Sequence, residues 1–254
     1  ANHKLDSNPD IFELIEAHDS SLETTSLVYW EPIDSTIIGK DIADTQERFE
    51  EDEDLHLRAV EILQDDSSLD VLFVAYDDPD YAGHRHGFSP LSEEYVDAVK
   101  LADQRAFELL EILDDRDPFE EWLVIITSDH GGGGAFEFSH SPSTEIDRTT
   151  LMMVRGGDTV SGEMENSVVV DVAVTALTHM DIPLPTGSNS LDGRALAFEP
   201  NSEAARSPDC PKHISYTIAE NSETITVGLL GLSGFLIAAS VIWYKRRKSK
   251  LNDE

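Results

Sequence analysis

Two apolar runs in this chain each break into a cluster of carboxylates, imidazoles and glycines. Residues 70–76 (DVLFVAY) lead into Asp77-Asp78-Pro79-Asp80-Tyr81-Ala82-Gly83-His84-Arg85-His86-Gly87. Residues 122–127 (WLVIIT) lead into Ser128-Asp129-His130 and four glycines, and ten residues beyond His130 comes Ser139-His140-Ser141-Pro142. Carboxylate oxygen together with imidazole nitrogen suits zinc or a similar first-row cation. Asp80 and His84, four positions apart on a glycine-containing loop, can converge on one ion. The adjacent pair Asp129 and His130 needs a sharp turn after it, which glycine permits. Either pair alone reads more often as a surface hydrogen bond. The repetition at two strand ends, with His140 following, argues for a cation site. His86 and His179 read as structural or solvent-facing.

The elements that must position these groups alternate. Helical spacing appears over residues 9–18, 45–64, 91–115 and 168–180, and short apolar strand-like runs over 26–30, 70–76, 122–127 and 150–155. Strands alternating with helices predict an α/β fold on a mostly parallel sheet. In such folds ligands bind beyond the carboxyl ends of strands, where both clusters fall.

Composition narrows the partners. The 254 residues are 40% hydrophobic, enough for a core, but 51 acids face 18 bases, for a net charge of −33. A surface that acidic excludes duplex nucleic acid as an expected partner, because phosphate backbones need Lys and Arg. A phosphate ester can still be a substrate if bound cations supply local positive charge. The lone cysteine, Cys210, allows no intrachain disulfide and so identifies no compartment. No Asn-x-Ser/Thr sequon occurs.

The C-terminal part reads differently. Residues 225–244 (ITVGLLGLSGFLIAASVIWY) carry no charge and have the length, about 20 residues, that crosses a bilayer core. Trp243 and Tyr244 close the run and a basic stretch from Lys245 to Lys250 follows, which predicts a single transmembrane helix with a cytoplasmic tail. The expected organisation is a catalytic domain over 1–200, a stalk over 201–224, a membrane helix over 225–244 and a basic tail over 245–254. The catalytic region then lies outside the cell or in a lumen.

The motifs Asp80-x-x-Gly83-His84 and Ser128-Asp129-His130-Gly131 resemble the paired signatures of the alkaline phosphatase superfamily, most closely its type I phosphodiesterase/nucleotide pyrophosphatase-like branch. Residues 168–185, followed by Leu191-Asp192-Gly193, resemble the helix and Asp-Gly turn that close that domain. The resemblance covers roughly residues 8–200. It implies a three-layer α/β core, incomplete at its N-terminus, and hydrolysis of a phosphate ester with two divalent cations, zinc by family habit. Carried over, Asp80, His84 and His140 hold one cation, and Asp129 and His130 help to hold the second. Ser141 stands where the family typically has glycine. The family's Thr or Ser nucleophile and a further aspartate are expected upstream of Ala1; Thr24, Thr25, Ser35 and Thr36 lack the context for that role. The alternatives within reach are a sulfatase or phosphomonoesterase of the same superfamily, or an inactive surface receptor on this scaffold.

Overall fold

The computed structural model describes residues 9–156, 159, 166–187 and 190–196, and the backbone of 240–247. The chain order is α1 (Ile11–His18), β1 (Glu23–Val28), a π-helical turn (Ile33–Ile37), β2 (Thr45–Arg48), α2 (Asp52–Asp65) and β3 (Leu69–Ala75). There follow α3 (Asp78–His86), α4 (Glu93–Asp114), β4 (Glu120–Thr127), α5 (Glu145–Arg148), β5 (Met152–Gly156), α6 (Asp171–His179) and β6 (Ser240–Arg247).

The strands form one sheet in the order β2-β1-β3-β6-β4-β5. β1 pairs in parallel with both β2 and β3. β6 runs antiparallel to β3 and β4, and β5 antiparallel to β4. β3 and β4 therefore point the same way, and their last residues, Ala75 and Thr127, both stand opposite Ser240. Strands lie about 4.8 Å apart, so the two strand ends are level and roughly 10 Å from one another.

Alternation along β3 and β4 builds the layers. Leu72 and Val74 of β3, with Val124 and Ile126 of β4, pack against Leu55, Ala59 and Leu63 of α2 and Ala106, Leu109 and Leu110 of α4. The opposite side chains bury against the other face. Val71 meets Phe12 and Ile15 of α1 and Leu177 of α6, and Leu123 and Ile125 meet Val172 and Ala176 of α6. A strand buried on both faces reads as a continuous apolar run, as β3 and β4 do. α1 is fixed at its start by a capping box: the Asp10 carboxylate accepts from the Phe12 and Glu13 N–H groups, and Glu13 reaches back to the Asp10 N–H.

Two expectations change. The helix over 45–64 begins only at Asp52, because Thr45–Arg48 pairs as an edge strand with β1. An edge strand needs only one ladder of main-chain hydrogen bonds and tolerates the polar sequence TQER. The segment after β3 is not a loop but the helix α3, with Pro79 in its first turn and Gly87, at φ 96°, closing it. Of the expected membrane span over 225–244, only the end is described. Residues 225–239 and the stalk lie outside the described residues, but Ser240–Tyr244 are in β6. Val241, Ile242, Trp243 and Tyr244 are strand formers, and between two apolar strands they satisfy their backbone by sheet pairing instead of by helix. Among the described residues no helix is long and apolar enough to cross a membrane.

Leu109, fully buried between α4 and the sheet, gives a direct check of this layering. Leu109→Ala is expected to cost about 2–5 kcal/mol in denaturant unfolding; a loss below about 1 kcal/mol contradicts the packing.

Candidate metal centre

Asp80 and His84 lie one turn apart on α3, so both side chains leave the same helix face. His84 Nε2 stands 3.4 Å from Asp80 Oδ2. The other ring nitrogen, Nδ1, lies 3.0 Å from the Phe138 carbonyl. A carbonyl only accepts, so Nδ1 carries the proton and Nε2 presents a lone pair toward Asp80, the arrangement of a metal-ligating histidine. Between the two residues Gly83 leaves room for Phe88: a Cβ there would lie 2.0 Å from the Phe88 ring. That ring sits edge-on to His84 at 5.1 Å and to His140 at 6.1 Å, walling the site with an apolar group.

The second set begins where β4 ends. Thr127 and Ser128 are buried and tied to Leu151 at the entry of β5, which fixes the exit of the strand. Gly131 then passes so close to α5 that a Cβ would meet the Ile146 carbonyl at 2.1 Å. His130 Nδ1 lies 3.0 Å from the Gly131 carbonyl, which again leaves Nε2 free to ligate. The return of the loop depends on Asp147 of α5, which is buried. Its carboxylate accepts from the N–H groups of Gly134 (2.9 Å) and Ser141 (3.1 Å), and its carbonyl from that of Gly131 (2.9 Å). One side chain and its own carbonyl thus pin the loop at three points and bring His140 over His130, their rings stacked 3.8 Å apart.

The sets meet at Asp80. Its Oδ1 is 3.7 Å from His140 Nε2 and 3.9 Å from His130 Nε2, and Asp129 Oδ2 is 3.6 Å from His130 Nε2. These separations are too long for hydrogen bonds, and Asp80 Oδ1 is buried with no hydrogen-bond partner. They match what a shared ion requires: ligands about 2.1 Å from a tetrahedral zinc stand about 3.4 Å from one another. Asp80, His130 and His140 each offer a ligand atom within 4.8 Å of the others. The donor set therefore fits a divalent cation.

Electrostatics agree with the geometry. Burial, and then the negative charges of Asp80, Asp129 and Asp78, push the Asp77 carboxyl up to about 6. Burial and the neighbouring His130 and His84 rings hold the His140 imidazole below its ordinary range, so it is neutral and able to ligate at pH 7.

All the residues singled out from the sequence, Asp80, His84, Asp129, His130 and His140, come together. The tightest group, however, mixes the two expected sets, with Asp80 facing His130 as well as His84 and His140. Ser141 does not displace His140; its N–H is one of the three held by Asp147. His86 and His179 stay outside the cluster. Sequence reading passed over Asp77 and Asp147. Asp77 carried a signal, being just beyond the end of β3; Asp147 carried none, since its partners are backbone groups brought near only by the fold.

The family model described as type I phosphodiesterase / nucleotide pyrophosphatase matches residues 12–161. No curated protein matches the chain, and no solved structure does.

Replacing Asp147 with Asn turns an acceptor into a donor facing one of the two loop N–H groups. Asp147→Asn is expected to lower stability by about 1–3 kcal/mol and to speed amide exchange at Gly134 and Ser141. Unchanged exchange at both would remove Asp147 from this role.

Proposed function

The chain belongs to the type I phosphodiesterase / nucleotide pyrophosphatase family, and on that premise we propose that it carries most of the cation site of a metal-dependent phosphodiester hydrolase. The observation that supports this best is the buried, partnerless Asp80 Oδ1 facing two imidazole nitrogens. In this reading Asp80, His84 and His140 hold one divalent cation, and Asp129 and His130 contribute to a second; both are zinc-like. When bound, such cations stabilise charge on the phosphoryl oxygens and activate the attacking oxygen.

The chain's own residues prepare that chemistry. His84 and His130 keep their Nδ1 protons on backbone carbonyls and so aim Nε2 inward. Phe88 places an apolar ring edge-on to His84 on one side of the site. The carboxylates of Asp77, Asp80 and Asp129 would repel an anionic ester unless bound cations offset their charge. The hydroxyl nucleophile and the further metal-binding aspartate of such a site are assigned to no residue here. Thr24 does not serve, because its hydroxyl is buried and engaged with Glu16 and Asp44.

The apolar run 225–244 and its basic flank support attachment of the protein to a membrane, with the hydrolase region outside or in a lumen. Ser240–Tyr244 pair within the sheet here, so insertion requires β6 to leave it. Expressed in cells, the full chain should stay with membranes through an alkaline carbonate wash, and a variant with Phe235→Asp and Leu236→Asp, which keeps the β6 residues, should be released; equal release of both would contradict attachment.

The central test is metal binding and turnover. The purified chain dialysed against zinc should retain the metal by elemental analysis, and Asp80→Ala should retain far less. In the full-length protein, His84→Ala or Asp129→Ala should abolish hydrolysis of a chromogenic phosphodiester. Wild-type retention and turnover in these variants would refute the ligand assignment.

A further inference from the structure

α3 carries Asp80 and His84, yet it starts without a cap of its own: Asp77 at the N-cap makes no side-chain hydrogen bond to the helix. The first N–H groups of a helix need an acceptor from elsewhere. Here it comes from another helix. Asp52, the first residue of α2 and 1% exposed, turns Oδ2 onto the N–H groups of Asp77 (2.8 Å) and Asp78 (2.7 Å). Its second oxygen, Oδ1, is buried with no hydrogen-bond partner. Both bonds therefore run through one atom.

Arg105 of α4, 4% exposed, completes the grip. Its Nη1 donates to Asp78 Oδ2 at 2.7 Å and lies 3.7 Å from Asp52 Oδ2, and its Nη2 reaches Glu53 at 3.2 Å. The guanidinium also lies over the Tyr76 ring, 5.5 Å from its centroid. Tyr76, Asp77 and Asp78, the three residues that turn the end of β3 into α3, are all held by this pair. A buried ion pair is weak evidence of a gain in stability, because desolvation consumes most of its attraction. What this one does is fix a direction. Asp80 follows Asp77 by less than one helical turn, so a displaced helix start moves Asp80 directly.

We propose that Asp52 is a positioning residue of the cation site: with Arg105 it caps α3 from outside and so sets where Asp80 and His84 point. Neither touches the ligand atoms. The inference rests on the cation-site reading above and deepens it.

The experiment measures zinc affinity by competition with a chromogenic chelator, and thermal unfolding with and without zinc, for the wild-type chain, Asp52→Ala and Asp52→Asn. Asp52→Ala should weaken zinc binding about 10–100-fold, the usual effect of losing a group that orients a ligand, and shrink the zinc-induced rise in Tm. Asp52→Asn should stay close to wild type, since one amide oxygen can accept both N–H groups as Oδ2 does. Equal zinc affinity in wild type and Asp52→Ala, with Tm lowered alike in the presence and absence of zinc, would make Asp52 a structural cap only and overturn the proposal. Loss in Asp52→Asn as large as in Asp52→Ala would assign the effect to charge and overturn it too. Should Asp52→Ala not fold, Asp78→Ala removes Arg105's hold at a partly exposed side chain; several-fold weaker zinc binding supports the proposal and unchanged affinity overturns it. Failure of the wild-type chain to bind zinc sinks the cation-site reading itself, and this inference with it.

Discussion

The structure depends on a concentration of like charge that its own groups do not neutralise. Asp77, Asp80 and Asp129 lie close enough at the ends of β3 and β4 that the latter two help to raise the Asp77 carboxyl to about 6. The nearby His84, His130 and His140 offer lone pairs, and His140 is held toward its neutral form. Burying Asp80 Oδ1 without a hydrogen bond is costly for any fold. A divalent cation bound there would remove that cost and relieve the repulsion together. The surrounding polar contacts make sense as supports for such an ion.

Those supports follow from the sheet. β3 and β4 run in the same direction and end level with one another, one strand apart, so what emerges from each can lean inward over the space between. From β3 the chain enters a helix, whose period puts Asp80 and His84 on one face. From β4 it enters a glycine turn, which Asp147 closes so that His140 returns above His130. A helix on one side and a pinned loop on the other thus reach one site by different local geometries. The apolar layers, α2 with α4 and α1 with α6, keep both strand ends in place.

Much of this was legible in the sequence, for identifiable reasons. β3 and β4 are short and end in apolar runs, and the candidate ligand residues follow them directly, so both strands and the cluster could be read from pattern. α3 was harder: Asp77-Asp78-Pro79 looks like a turn, and the acceptor for its first N–H groups, Asp52, comes from another helix. β2 was hidden because its four residues are polar and its stability comes from pairing with β1. Asp147 and Asp52 act on backbone N–H groups far along the chain, a relation that no motif encodes. The last residues of the apolar C-terminal run show a further ambiguity, since a strand between two strands and a helix in lipid both satisfy the backbone of an uncharged segment.

The most direct test is to locate the ion. Crystals of the chain grown with zinc and measured across the zinc absorption edge would show where it binds. A cation-centred site predicts an anomalous peak about 2.0–2.2 Å from Asp80 oxygen and from imidazole Nε2 atoms of His84, His130 or His140. No peak there, or zinc bound only at other surface carboxylates, would contradict it.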